Sequence, residues 1–164
     1  MAFTHTFTGV VLCHILIENY LLIPAVLDRA LARAALDRTT RTGEAARPLP
    51  CSDDLLRTLT DELRDEVQSQ YIARRTTYLR STGKDLADIT RETLAWFTPR
   101  WNDLTARMTI VPGKEVLKAL REHLQKVYGV SLTDARIVDP FHKDEVPGDI
   151  QQLVDALELF RTSA

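Results

Sequence analysis

The chain has 164 residues with 21 Lys or Arg and 23 Asp or Glu, so its formal net charge is −2. This balance gives no support to binding of nucleic acid or of an anionic membrane through bulk charge alone. Its two cysteines, Cys13 and Cys51, are too few for a disulfide scaffold and match no paired metal-binding spacing. We therefore expect one cytoplasmic domain over residues 1–164, a size that buries about two thirds of the unfolded surface.

The N-terminal part of the chain carries the most unusual pattern. Phe3 and Phe7 lie in a period-two alternation with threonines, which predicts a short extended arm that docks on a surface. From Val10 to Leu27 the sequence is apolar nearly all the way round a helix. Such a helix must be buried, either against this domain or against another subunit. Pro24 lacks an amide proton, so we expect the helix to kink or restart there.

Three polar residues interrupt this apolar run. His14 and Glu18 are four residues apart and share a helix face, which is a geometry used by metal or proton-relay pairs in bundles. The sequence has none of the paired Glu-x-x-His motifs of di-metal bundles. We therefore expect His14, Glu18 and Asn19 to form a polar seam that is hydrogen-bonded to a neighbouring element, with no metal or cofactor.

A Thr-, Gly- and Pro-containing stretch from Thr39 to Pro50 predicts a loop. Ser52 is a good N-cap with acidic residues directly after it, and apolar residues then recur every three or four positions until Gly83. This pattern predicts one long helix, which at about 1.5 Å per residue would run roughly 45 Å and cross the whole molecule.

The next segments predict shorter helices. Asp85 can cap a helix that ends at Pro99, and Thr98 with Pro99 can start another. After Pro112 the apolar period is regular up to Gly129, a typical C-terminal glycine. A short helix before Pro140 and an amphipathic last helix follow, the latter with its apolar residues on one face: Ile150, Leu153, Val154, Leu157 and Phe160. The expected fold is all-α, an irregular bundle of about six or seven helices around the long one.

The segment from Leu124 to Asp139 resembles the core of a helix-turn-helix motif. It has an apolar helix end, a turn at Gly129, a capping Ser131 and a short helix with Ala135 and Val138 facing inward. The segment departs from the motif at Gln125, and acidic residues stand beside Arg136 in the helix that would contact DNA. A plain helical hairpin is the competing interpretation.

A second candidate for nucleic-acid contact lies between Gln70 and Lys84. This segment interleaves tyrosines with cations, a composition that suits a nucleic-acid backbone. The candidate residues are Arg74, Arg75, Tyr78, Arg80 and Lys84. Basic side chains near a helix C-terminus are also favoured by the helix dipole in any protein, so a solvated helix end without a nucleic-acid partner is the alternative.

No constellation of residues predicts catalysis. The sequence has no Gly-x-Ser-x-Gly elbow and no glycine-rich phosphate loop, so we expect no enzyme. The abundance of apolar helical surface favours a non-catalytic assembly or adaptor subunit that binds a protein partner or forms a homo-oligomer. The candidate interface residues are Phe3, Phe7, Leu16, Tyr20, Trp96 and Trp101. A nucleic-acid-binding protein is the alternative function.

Overall fold

The computed structural model describes residues 17–45 and 47–162. About 80% of this part is helical and none of it is β-strand, which confirms the predicted all-α class. The expected extended arm with Phe3 and Phe7 and the first part of the apolar run, including Leu16, lie outside the described residues. The chain divides into two compact units that meet in sequence between Pro140 and Phe141.

The first unit contains seven α-helices in its described residues. A 3-10 helix, Ile17–Leu21, precedes them. The helices are α1 (Pro24–Thr42), α2 (Ser52–Asp61), α3 (Arg64–Leu79), α4 (Leu86–Asn102), α5 (Leu104–Ile110), α6 (Gly113–Tyr128) and α7 (Asp134–Val138). Their inward faces form an apolar core together with Leu22, which lies just before α1; the core includes Val26, Leu27, Leu56, Ile89, Phe97, Leu120, Leu124 and Ile137.

The second unit, from Phe141, contains a 3-10 helix (Lys143–Glu145) and helix α8 (Gly148–Thr162) in its described residues. Asp149 stands in the first turn of α8 and Arg161 in its last turn, which matches the helix dipole at both ends. The predicted C-terminal helix is therefore present, and its 15 residues include none that is buried.

The apolar run restarts at Pro24, as its sequence predicts. Pro24 occupies the first turn of α1, where its missing amide proton removes no helical hydrogen bond. Asn19 in the preceding 3-10 helix is 1% exposed and donates from Nδ2 to the carbonyl oxygens of Met108, at 2.6 Å, and Val111, at 2.8 Å. These bonds tie the N-terminal segment to the junction between α5 and α6.

The expectation of one long helix after Ser52 is wrong, because the α-helix is interrupted at Glu62 and Leu63, between α2 and α3. The amide of Leu63 bonds to the Thr60 carbonyl three residues back, which tightens the helix end. A distant residue bonds to the last turn of α2 at this point, since Arg107 Nη1 donates to Thr60 Oγ1 at 3.0 Å and to Asp61 Oδ1 at 2.8 Å. The end of α2 thus coincides with contacts to a buried guanidinium.

The predicted boundary at Pro99 is also wrong. Helix α4 continues through Pro99 to Asn102, and the Asp103 side chain then caps α5 by accepting from the Ala106 amide at 2.7 Å. Packing of the apolar face of α4 outweighs the one backbone hydrogen bond that the proline removes. The expected Asp85 cap of α4 is confirmed, since its carboxylate accepts from the Ala87 amide.

Candidate functional site

Among the described helices, α8 carries the largest group of exposed hydrophobic side chains, and most of them lie on its apolar face. Val154 is 46% exposed, Leu157 59% and Phe160 75%. These residues, each three positions apart, lie on the face that the sequence predicts. Leu159, at 70% exposure, points to the opposite side of the helix according to the helical period.

Charged side chains border this face. Glu158 borders it and accepts from Arg161 Nη2 at 2.7 Å, whereas Asp155 lies on the side of Leu159 and accepts from Gln151 Nε2 at 3.0 Å. Together with Asp149, these residues give α8 an acidic character. An amphipathic helix with an exposed apolar face and polar flanks is the form in which helices enter grooves of partner proteins.

The interface candidates from the sequence fall into three groups. Phe3, Phe7 and Leu16 lie outside the described residues. Tyr20 and Trp101 are core residues, 6% and 2% exposed, so neither can be an interface residue of the folded unit.

Trp96 forms the third group because it is only partly buried, and it lies against Tyr71 with ring centroids 5.1 Å apart. The aromatic cluster near Pro99 thus packs α4 against α3. Sequence reasoning identified the amphipathic face of α8 but did not name its residues as interface candidates.

The basic segment at the end of α3 is partly neutralised by α4. Lys84 Nζ donates to both carboxylate oxygens of Glu92, at 2.7 and 2.8 Å, and Arg75 Nη2 lies 3.7 Å from the same carboxylate. The hydrogen bond from Lys84 is the main cause that lowers the pKa of Glu92, and the positive charge of Arg75 adds to it. Two of the cations predicted to contact nucleic acid are therefore engaged within the protein.

The other members of that segment remain at the surface. Tyr78 is 82% exposed, and Arg74 lies one turn before it on α3. Neither Arg74 nor Arg80 forms an ion pair with a carboxylate in the part of the chain that the structure describes. The structure thus keeps a smaller basic and aromatic patch than the sequence predicts.

The segment that resembles a helix-turn-helix does not present a DNA-contacting helix. Its second helix, α7, has only five residues and is capped by Thr133, not by Ser131 as expected. Ala135 and Val138, expected to face inward, are exposed, and Ile137 is buried in their place.

Arg136, the candidate for base contact in this segment, is occupied by intramolecular partners. It donates to Asp37 Oδ2 at 3.0 Å and to the Ser131 carbonyl at 2.9 Å. The plain hairpin interpretation fits these contacts better, because both Nη atoms of the side chain that would contact the bases already donate a hydrogen bond within the fold.

A groove of about 440 Å³ runs between α1 and α7. Ala30 and Ala34 are buried at its base. Two ion pairs bind the helices together beside it, Arg33 with Asp139 at 2.6 Å and Arg136 with Asp37 at 3.0 Å. These oppositely charged side chains pair with each other beside the groove and hold α7 against α1. No charged side chain among the described residues that line the groove is left unpaired for a ligand.

The described residues that could bind a metal ion or act as a nucleophile are not brought together in one site. Within residues 17–45 and 47–162, no group of three or more His, Cys, Asp or Glu side chains is placed to hold a metal ion. His14 and Cys13 lie outside these ranges. The exposed Cys51 thiol donates to Asp54 Oδ2 at 3.1 Å, a hydrogen bond that raises its pKa and keeps it protonated.

None of the described helices combines the length and the hydropathy that crossing a lipid bilayer requires. Comparison of the chain with protein-family models, with curated proteins and with solved structures gave no match.

Proposed function

We propose that this chain is a non-catalytic assembly or adaptor subunit that binds a protein partner through the apolar face of α8. The observation that carries this proposal is the exposure of Val154, Leu157 and Phe160 on one face of a helix with no buried residue. Apolar side chains that recur on one helix face stabilise a fold or a complex only when they are covered. The role needs no cofactor and no metal, and it accords with the cytoplasmic location expected from the composition.

The chemistry of α8 also indicates the partner. An apolar groove would take up Leu157 and Phe160, and basic residues at its rim would face Asp149 and Glu158, which border the apolar face. A second copy of α8 is a poorer match, because pairing two such helices side by side brings acidic flanks together. We therefore favour a different protein with a basic-rimmed groove over a homo-oligomer built on this helix.

The test uses Leu157→Glu, which places a charge at the centre of the apolar face. The matched control is Gln152→Glu, which adds the same charge on the opposite, exposed side of α8. Wild type and both variants serve as baits in quantitative affinity capture, and the captured protein is then purified and titrated against each. We expect affinity to fall at least about a hundredfold for Leu157→Glu, as for loss of a central interface residue, and to change little for Gln152→Glu.

Two results would overturn the proposal. One is an unchanged set of captured proteins for all three baits. The other is equal affinity of the purified partner for wild type and Leu157→Glu. Light scattering at high micromolar concentration completes the test, since a dimer that Leu157→Glu dissociates would replace the foreign partner by a second copy of the chain.

Nucleic-acid binding is the second candidate function, and the exposure of Tyr78 beside unpaired cations favours it. Bases can stack on an exposed tyrosine ring while Arg74 and Arg80 contact the phosphates. Such binding would be weak and strongly dependent on salt, because few cations take part.

A single-stranded oligonucleotide titration followed by fluorescence anisotropy tests this second function. Combining Arg74→Gln with Arg80→Gln should abolish binding, whereas combining Lys84→Gln with Glu92→Gln should affect it little, since this control removes an ion pair without changing the net charge. Two phosphate contacts predict a slope of about −1.4 for log K against log salt, at about −0.7 per contact. Absence of binding at low salt, or equal loss in both double variants, would exclude this patch.

A further inference from the structure

A groove runs between α6 and the two helices α2 and α3, within the first unit. It consists of three adjoining cavities of about 230, 370 and 230 Å³. Thr58 and Leu59 line both the first and the second cavity, and Leu63 and Glu115 line both the second and the third. The groove follows α6 from Glu115 to Tyr128, which at about 1.5 Å per residue is a length of about 20 Å.

The floor of this groove is apolar and is not completely covered by the fold. Val67 and Val116 are buried in it, at 4% and 1% exposure. Leu59, Leu63 and Ala119 are only partly buried. Leu59 and Leu63 belong to the regular apolar period of this part of the sequence, which does not show that the fold leaves them accessible. A partner that enters the groove would therefore cover apolar surface.

Carboxylates line the groove from end to end. Asp54 lines the first cavity, Glu62 and Glu115 line the second, and the third adds Glu66. All four are exposed, and none of them forms an ion pair within residues 17–45 and 47–162. Arg74, in the third cavity, is the one Lys or Arg among the described residues that line the groove. The groove thus combines an apolar floor with net negative charge.

An α-helix fits this groove better than an extended peptide. The described part of the chain has no β-strand, so no sheet edge is available there to pair with the backbone of an extended segment. A helix satisfies its own backbone hydrogen bonds and places apolar side chains on one face every three or four residues. About 13 residues of helix span about 20 Å, which matches the length of the groove.

The charge of the groove determines which flanks that helix should have. Lys and Arg side chains beside its apolar face would neutralise the unpaired carboxylates, and acidic flanks would be repelled. Helix α8 of a second copy of the chain is therefore a poor occupant, because Asp149 and Glu158 border its apolar face.

We infer that the groove between α6 and helices α2 and α3 binds an amphipathic helix with basic flanks from a partner protein. Apolar side chains of that helix would cover Leu59, Leu63 and Ala119, and its cations would face the carboxylates. This surface involves no residue of α8 and does not rest on the proposed role of that helix.

The probe for the test is a fluorescein-labelled synthetic peptide of about 14 residues, with Leu every three or four positions on one face and Lys on both flanks. A second peptide has Glu in place of every Lys, and a third has the composition of the first in scrambled order. Fluorescence anisotropy follows their binding to the full-length protein. We expect the first peptide to bind saturably and the other two at least about tenfold more weakly. Raising sodium chloride from about 0.05 M to about 0.5 M should weaken the first.

A double variant tests the charge of the groove. Combining Glu62→Gln with Glu115→Gln removes two exposed carboxylates and should weaken binding of the basic peptide about three- to tenfold, as for the loss of two exposed charge contacts. The matched control combines Asp53→Asn with Asp65→Asn. It removes the same charge from exposed positions that the helical period places on the other side of α2 and α3, and it should change the affinity less than about twofold.

A second variant tests the shape of the groove. Ala119→Phe fills part of the second cavity without a change in charge, so it should weaken binding of the basic peptide at least about tenfold. Ala87→Phe adds the same group at an exposed position on α4 that lines none of the three cavities, and it should leave the affinity unchanged. Circular dichroism checks that each variant is folded, and the charge variants keep the test decisive if Ala119→Phe unfolds.

Because α8 is itself amphipathic and acidic, the basic peptide is also titrated against Leu157→Glu. Binding no weaker than that of wild type shows that the peptide does not use the apolar face of α8. Loss of binding in Leu157→Glu, with full affinity in both groove variants, would overturn the inference and leave the proposed role of α8 intact.

Three further results would contradict the inference. The first is equal binding of the basic and acidic peptides, or no saturable binding up to about 1 mM, which is the range of very weak complexes. The second is an equal loss of affinity in the groove and control double variants. The third is a dimer, detected by light scattering, that Ala119→Phe dissociates, since a second copy of the chain would then occupy the groove.

Discussion

At the scale of single residues, two buried polar side chains define the fold of the first unit. Asn19 and Arg107 are 1% and 5% exposed, and each bonds to groups far away in the sequence. A buried hydrogen bond contributes little when made, but a buried group without a partner is expensive. These residues therefore specify which helix ends meet.

The first prediction concerns Asn19. Asn19→Ala leaves the Met108 and Val111 carbonyls without their side-chain donor in a buried junction. We expect the free energy of unfolding to fall by about 2–4 kcal/mol, measured by urea denaturation. Asn102→Ala, at the exposed end of α4, is the control and should change it by less than about 0.5 kcal/mol. Equal effects would mean that the Asn19 bonds do not hold the junction.

The second prediction concerns Arg107, which also donates from Nε to the Trp101 carbonyl at 2.6 Å and lies over the Trp101 ring. Arg107→Met keeps much of the volume but removes all these bonds, so unfolding free energy should fall by about 2–4 kcal/mol. Asp61, whose side chain is 64% exposed, should matter far less, and Asp61→Asn should cost under about 1 kcal/mol. A larger effect for Asp61→Asn would contradict the view that the neutral partners of Arg107 dominate.

The third prediction follows from the lowered pKa of Glu92. Lys84→Ala removes the main cause of that lowering, so the pKa should rise towards its ordinary value, and Arg75→Ala should raise it less. Because the folded-state pKa is lowered, the pair stabilises the protein above the unfolded-state pKa. That stabilisation is lost as pH falls through the folded-state pKa. NMR titration of the Glu92 carboxylate measures both changes, and an equal or larger rise in Arg75→Ala would contradict the assignment.

At the scale of elements, the ends of helices show where local signals suffice and where they fail. Gly129 ends α6 with a φ of 64°, and its amide bonds back to the Gln125 carbonyl at 3.1 Å. This positive φ is the conformation that makes glycine typical at the position. At Pro99 the local signal is overruled, because α4 continues to Asn102.

The fourth prediction concerns Pro99. Pro99 lies inside α4 and is exposed, so Pro99→Ala restores a helical hydrogen bond without disturbing the core. We expect the free energy of unfolding to rise by about 1–3 kcal/mol, read from thermal and urea denaturation. Pro112→Ala, at the N-cap of α6, needs no such bond and should be neutral or slightly destabilising. A destabilising Pro99→Ala would indicate that a helix starts at Pro99 after all.

At the scale of the whole molecule, charge is arranged in pairs on the surface. Of the ion pairs in the described residues, the one between Arg107 and Asp61 contains a buried side chain, while the others join partly or fully exposed groups. Exposed pairs contribute little each and are screened by salt. Pairing with nearby carboxylates weakens the case for Arg75, Lys84 and Arg136 as nucleic-acid contacts.

The fifth prediction follows from this arrangement. Raising sodium chloride from about 0.05 M to about 0.5 M should lower the free energy of unfolding by no more than about 1–2 kcal/mol, since screened surface pairs are weak. Urea denaturation at each salt concentration measures the change. Loss of most of the stability at high salt would show that the surface pairs, and not the apolar core, hold the first unit together.

Local patterns in the chain are sufficient to predict the all-α class, the restart at Pro24, the Asp85 cap, the end of α6 at Gly129 and the amphipathic face of α8. These features depend on backbone chemistry and on residues within a few positions of each other, which the periodicity of the chain displays.

Where α2 ends, which aromatic residues are buried and which cations are paired depend instead on contacts between distant parts of the chain. Arg107 reaches Thr60 across 47 positions, and Arg136 reaches Asp37 across 99. The pattern of neighbouring residues does not predict such partners, because the free energy of burying a polar group depends on what the fold places beside it.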